Sequence, residues 1–202
     1  MKYLDCYNDD YIKEMFKKID SRDEIYNHGL RHALNVVENI EKLGRLLEID
    51  SEELNYLKIA GYLHDIGRYE SNDNHQLFSR DFVLKHVRSK MDSNWLDRIS
   101  LAIEKHHEKE NVGDLSLFEH IVLFADKMDF SYKRLKYDVE CFENNILSID
   151  FEIRDNKFLV ICKCKRYFSN KELEECVNYQ KVLKRVKEFA NKLNLHYEVN
   201  LI

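Results

Sequence analysis

Apolar positions recur at helical spacing through the first 147 residues and then switch to alternation. Val36, Ile40, Leu43 and Leu47 form one stripe, predicting a helix over about residues 28–48. Ser51 is expected to cap the next helix, with Glu52 and Glu53 favouring the dipole, and Leu54, Leu57, Ile59 and Leu63 carry it on to Gly67. Phe78, Phe82 and Val87 predict a third helix, Trp95, Ile99, Ala102, Ile103 and His106 a fourth, and Phe118, Ile121, Val122, Ala125 and Met128 a fifth. Beyond residue 148 the period is two. Ile149, Phe151 and Ile153 alternate with Asp150, Glu152 and Arg154, and Phe158, Val160, Cys162 and Cys164 continue the pattern. Asp155-Asn156 fits a two-residue turn that sets Ile153 opposite Phe158 and Phe151 opposite Val160. One long amphipathic helix, carrying Leu173, Val177, Leu183, Val186, Phe189, Ala190 and Leu193, and an alternating end at 196–202 complete a β-β-α-β tail. The expected fold is mainly α, with residues 1–147 a helical domain and residues 148–202 a small α+β appendage.

Composition supports this. The 202 residues include no proline and only five glycines, so long helices meet few breakers. With 32 basic and 37 acidic residues and no basic block, the chain is not expected to bind nucleic-acid polymers. Nothing reads as a signal segment or a membrane span, so a soluble, cytoplasmic protein is expected. Five cysteines without a CxxC pair fit reduced, structural thiols.

Histidines and aspartates in the helical part carry the chemistry. His28 and His32 are four apart and share a helix face. His64-Asp65 ends an apolar helix, His75 begins the next, His106-His107 ends another, and Asp126 lies within the apolar run 122–128. Burying such groups unpaired is costly, and a shared cation removes the cost. Imidazole and carboxylate without cysteine favour iron, manganese, nickel, zinc or a harder ion such as magnesium over copper(I). Adjacent helical residues diverge by roughly 100°, so His106 and His107 fit two centres more easily than one.

At these positions the sequence resembles the HD superfamily of metal-dependent phosphohydrolases over about residues 26–135. His32-Ala-Leu-Asn-Val36 is similar to the first histidine segment, Leu63-His64-Asp65-Ile66-Gly67 to the signature dyad, and Ala125-Asp126-Lys127-Met128-Asp129 to the final aspartate segment. The resemblance implies an HD-type helical bundle in which His32, His64, Asp65 and Asp126 hold one divalent ion. It implies that His75, His106 and His107 complete a second, with Asp65 bridging. His28 stands where some members carry an extra ligand. Arg68 replaces a common lysine, and its planar fork suits phosphate. The Gly-Tyr-Pro signature of the cyclic-dinucleotide branch is missing after His107.

The expected activity is hydrolysis of a phosphomonoester or phosphoanhydride, a nucleotide being the expected small-molecule partner. Asp65 would hold the ions and take the proton of the attacking water, while Arg68, Lys127 or Arg134 would steady phosphate oxygens. Two alternatives share the same ligands: di-iron oxygen chemistry on this scaffold, and a non-catalytic metal or ligand sensor. A strand edge of the tail could support a homodimer, although a cap on the bundle is the simpler role.

Overall fold

The computed structural model describes residues 1–22, 24–137 and 139–202. Helices α1 (Tyr3–Asn8) and α2 (Asp10–Asp20) lead into α3 (Leu30–Leu46), α4 (Ser51–Leu63), α5 (His75–His86), α6 (Ser93–Lys105) and α7 (Leu117–Lys127). Strands β1 (Ile146–Arg154) and β2 (Lys157–Cys164) are followed by α8 (Asn170–Glu175), α9 (Val177–Lys192) and β3 (His196–Leu201). The architecture is mainly helical with a small three-stranded C-terminal sheet, as the change of period predicts.

Local signals explain most boundaries, with some corrections. Asp50, not Ser51, caps α4: its carboxylate accepts from the amides of Glu52 and Glu53, so Ser51 becomes the first helical residue. That helix stops at Leu63 rather than Gly67, and after His64-Asp65 the chain tightens into a 3₁₀ turn at Ile66–Tyr69. Ser116 and Glu119 form a capping box on α7. Phe78, expected in the core stripe of α5, is 40% exposed.

The tail follows the expected hairpin. Ile153 pairs with Phe158 and Phe151 with Val160, and Asp155 and Asn156 both have positive φ, at 50° and 59°. The long helix expected beyond it is broken at Cys176, whose extended backbone ends α8 and whose Sγ accepts from the Tyr179 amide to start α9. Tyr179, Val182, Val186 and Phe189 then face inward, while Val177, at the break, is exposed. The α8–α9 crossover lets β3 run parallel to β2, giving the order β1-β2-β3.

One apolar core runs from the bundle into the tail. Its junction is aromatic. Phe124 of α7 stacks on Phe189 of α9 with centroids 4.2 Å apart, and meets Phe158 of β2 at 5.6 Å. Lys42 of α3 donates to the Ile149 carbonyl of β1 at 2.7 Å. Among the described residues no helix is long and apolar enough to cross a membrane.

His120 of α7 is buried beside Phe189, and neither ring nitrogen has a hydrogen-bond partner in the protein. Burial pushes its pKa down to about 4, helped by Lys192 and Arg185. His120→Leu should therefore stabilise the fold by about 1–2 kcal/mol at pH 7. Its advantage should grow as pH falls from 6.5 towards 4, because there the unfolded imidazole binds a proton and the buried one does not. Urea titrations at pH 7.5 and 5 check this; equal or lower stability of the variant at both would contradict it.

Candidate metal centre

The site is assembled where five helices begin or end. His32 comes from the first turns of α3, His64 and Asp65 from the end of α4, His75 from the start of α5, His106 from the end of α6 and Asp126 from the last turn of α7. All six are at most 3% exposed. Close packing sets their positions. Gly67 sits so tightly against α5 that a Cβ there would lie 2.3 Å from the Ser79 backbone nitrogen and 2.5 Å from the His75 carbonyl oxygen. The Gly67 amide also donates to Ser79 Oγ at 2.8 Å, tying the dyad to the helix that carries His75. Asn74 supplies the turn into that helix in the left-handed conformation, at φ 55°. Asn39 of α3 donates to the Ala125 carbonyl, fixing α3 against α7.

Four imidazoles have their Nδ1 occupied from behind. His64 donates to the Gly61 carbonyl at 2.7 Å, His106 to Ile103 at 2.6 Å and His75 to Asn72 at 3.0 Å. His32 Nδ1 lies 2.6 Å from Asp129 Oδ2, and Asn35 donates to the other oxygen of Asp129. These contacts set the Nδ1–H tautomer and leave each Nε2 as a lone pair. The lone pairs point at one another: His32 and His64 Nε2 are 3.1 Å apart, and His75 and His106 Nε2 are 3.2 Å apart.

The carboxylates meet the same nitrogens. Asp126 Oδ1 lies 3.2 Å from His32 Nε2 and 3.7 Å from His64 Nε2. Asp65 faces both pairs, with Oδ2 3.7 Å from His32 and His64 and Oδ1 3.0 Å from His75 and 3.5 Å from His106. Buried Oδ1 of Asp65 has no hydrogen-bond partner. Burial opposes ionisation of Asp65. Burial likewise opposes ionisation of Asp126, but the ammonium of Lys127 beside it is the main cause that holds its pKa well below the carboxylate range. Converging lone pairs, two buried carboxylates and an orphaned oxygen fit a divalent cation. Three overlapping groups have donor atoms within 4.8 Å of one another: His32, His64 and Asp126; His64, Asp65 and His106; and His28, His32 and Asp65.

The remaining candidates stand around this cluster. His28 Nδ1 is 3.1 Å from Asp65 Oδ2 and accepts from Arg134 Nη2 at 3.3 Å, and burial lowers its pKa to about 4. His107 belongs to none of the three groups; it is more exposed, with its ring centroid 5.4 Å from that of His75. Arg68 Nε lies 2.8 Å from Asp65 Oδ2, out of hydrogen-bond alignment, while its Nη2 donates to His75 Nε2 at 3.3 Å. Lys127 donates to Asp126 Oδ2 at 2.5 Å, and Arg134 donates to the Asp129 carbonyl.

A cavity of about 670 Å³ opens in front of His28, His107, Lys127, Asp129 and Arg134. The rest of its lining was not anticipated from the sequence: Asn178, Lys181, Val182, Lys184 and Arg185 of α9, with Tyr26, Phe130, Phe142 and Glu143. Lys181, Lys184 and Arg185 share one side of α9, a basic stripe visible at i, i+3 and i+4 spacing.

The profile of the HD-domain family matches residues 29–131, just over half of the sequence and the stretch that carries every helix of this cluster. The chain belongs to the HD-domain family. It is also similar to the solved structure of a predicted HD superfamily hydrolase from an uncultured Thermotogales bacterium. That likeness has 22% identity, covers 59% of this chain and 67% of that one, and has a TM-score of 0.49. No curated protein matches.

The HD-domain protein holds His32 through a carboxylate that lies outside the dyad. Asp129→Asn, which weakens that support, should lower divalent-metal affinity by about 10- to 100-fold without unfolding the chain. Competition with a chromophoric chelator measures this; unchanged affinity would contradict it. Gly67→Ala should cost about 1–3 kcal/mol through overpacking against α5, read as a lowered urea midpoint, and a wild-type midpoint would show that α5 can yield.

Proposed function

We propose that this protein is a metal-dependent phosphohydrolase that cleaves a phosphomonoester or phosphoanhydride, with a nucleotide as substrate. The observation that carries the reading is the set of inward lone pairs around two buried carboxylates, beside a cavity lined by Lys109, Lys127, Arg134, Lys181, Lys184 and Arg185. Oxygen chemistry on an apolar substrate gives no reason for so many cations, whereas a phosphate group does.

In this reading His32, His64, Asp65 and Asp126 would hold one divalent ion, and His75 and His106 with Asp65 would hold a second, with His107 available from the cavity side. Asp65 joins the two groups because one of its oxygens faces each pair of imidazoles. Divalent ions at such donors supply Lewis acidity and lower the pKa of a water. The chain's own contribution is positioning and charge. Arg134 and Lys127 stand between the carboxylates and the cavity and orient the phosphoryl oxygens, while Arg68 balances the charge of Asp65. Water adds to phosphorus and gives one proton to Asp65, the bond to the leaving oxygen breaks, and that proton passes on to the leaving oxygen. Residues 1–147 supply the metal donors, and residues 148–202 supply the cavity's far wall through α9.

His64→Ala and Asp65→Ala should each lose bound metal and lower phosphate release by at least about 1,000-fold. Elemental analysis of protein purified without added metal, paired with phosphate-release assays over nucleoside mono-, di- and triphosphates, is the test. Full metal content and activity in either variant would overturn the proposal. Oxygen consumption without phosphate release would replace hydrolysis with redox chemistry at the same donors.

A further inference from the structure

The second group of donors carries a cation of its own. Arg68 follows the dyad on the 3₁₀ turn Ile66–Tyr69, and its side chain is 14% exposed. Its Nη2 donates to His75 Nε2 at 3.3 Å, and its Nε stands 2.8 Å from Asp65 Oδ2. His75 Nδ1 donates to the Asn72 carbonyl, so Nε2 holds the one lone pair of that ring, and Arg68 uses it. Two donors assigned to the second ion, His75 and Asp65, are therefore in contact with a single guanidinium.

The first group is arranged differently. Among the described residues no lysine or arginine donates to Nε2 of His32 or His64. Lys127 approaches Asp126 through Oδ2 and leaves Oδ1 to face both imidazoles, while Arg134 Nη1 stays 3.7 Å from that oxygen. Both imidazole lone pairs of the first group are thus unshared with a side-chain cation, whereas one belonging to the second group is taken.

A lone pair serves one partner at a time, and a guanidinium keeps its charge at any ordinary pH. An ion entering beside His75 has to take that lone pair from Arg68. It also meets the repulsion of a unit charge in a buried site, where screening is weak. Little else holds the guanidinium: Nη1 reaches Asn72 Oδ1 only at 3.5 Å, and that oxygen already accepts from Arg22 at 2.8 Å. The head group's firmest partners are the metal donors themselves.

We propose that Arg68 is an exchangeable counter-cation of the second metal position, holding His75 Nε2 and Asp65 while the first ion alone is bound and giving up His75 when the second enters. The two positions then fill in order, and Arg68 sets how much divalent metal the second requires. This assignment rests on the two-ion reading above, but its test reads metal affinity and not turnover.

The full chain, cleared of metal, is titrated with zinc against a chromophoric competitor so that the two dissociation constants are read separately. The wild type should bind two ions stepwise. Arg68→Met keeps a long stem but has neither charge nor N–H. It should tighten the second step by about 10- to 100-fold, the usual size of coupling between two sites, and leave the first nearly unchanged. Arg68→Lys, which keeps the charge, should tighten the second step less than Arg68→Met does. A merely supporting role for Arg68 would weaken both steps. A second step unchanged or weaker in Arg68→Met, or equal tightening by the two variants, would overturn the proposal. Should Arg68→Met not fold, the wild type decides alone: the nitrogen-15 signals of the Arg68 guanidinium should shift mainly between one and two equivalents of zinc. A shift complete by one equivalent, or none at all, overturns it. One bound ion in the wild type and in both variants removes the second position and this proposal with it, while phosphate release by that one-ion protein would leave the hydrolase reading standing. A tightened second step without phosphate release from any nucleotide would do the reverse.

Discussion

Buried lone pairs without protons need a cation, and that requirement organises the helical part of this protein. Backbone carbonyls of Gly61, Asn72 and Ile103 and the carboxylate of Asp129 occupy the Nδ1 of four histidines, so the opposite nitrogens face inward with nothing to donate. Asp65 and Asp126 add negative charge to the same small volume. In a low-dielectric interior such an arrangement is unfavourable without positive charge at its centre. The lysine and arginines that approach it, Lys127, Arg68 and Arg134, do so from the rim and retain some exposure.

Helix ends are the economical way to build it. The last carbonyls of a helix lack intrahelical partners, and His64 and His106 each use a carbonyl three residues back, at Gly61 and Ile103. His75 does the equivalent at the start of α5 with the carbonyl of Asn72. The same backbone groups that need partners therefore orient the ligands, and precision comes from the packing of whole helices. Gly67 is where this is tightest, since any side chain there would push α5 and His75 away from the dyad.

The cluster was legible in the sequence because its members sit at helix ends or on inward stripes, and because three separated segments fit one family pattern. His107, beyond the end of α6 with its ring centroid 6.1 Å from that of His106, stands on the cavity side rather than among the close donors. Asp129 was within reach of inference, three residues after Asp126 on the same turn. Glu143, Asn178 and Tyr26 were not, because they meet from three separate segments, Tyr26 lying 117 residues from Glu143 and Asn178 35, which no local period encodes. The hairpin registered correctly because its turn residues and alternation agree, whereas the break at Cys176 had no proline or glycine to announce it.

The most direct measurement of the central claim is the nitrogen-15 spectrum of the histidine side chains, recorded before and during titration with a diamagnetic divalent ion such as zinc. The account predicts Nδ1–H tautomers at His32, His64, His75 and His106 and large shifts confined to their Nε2 atoms as metal is added. Protons resident on Nε2, or Nε2 signals indifferent to saturating metal, would contradict it.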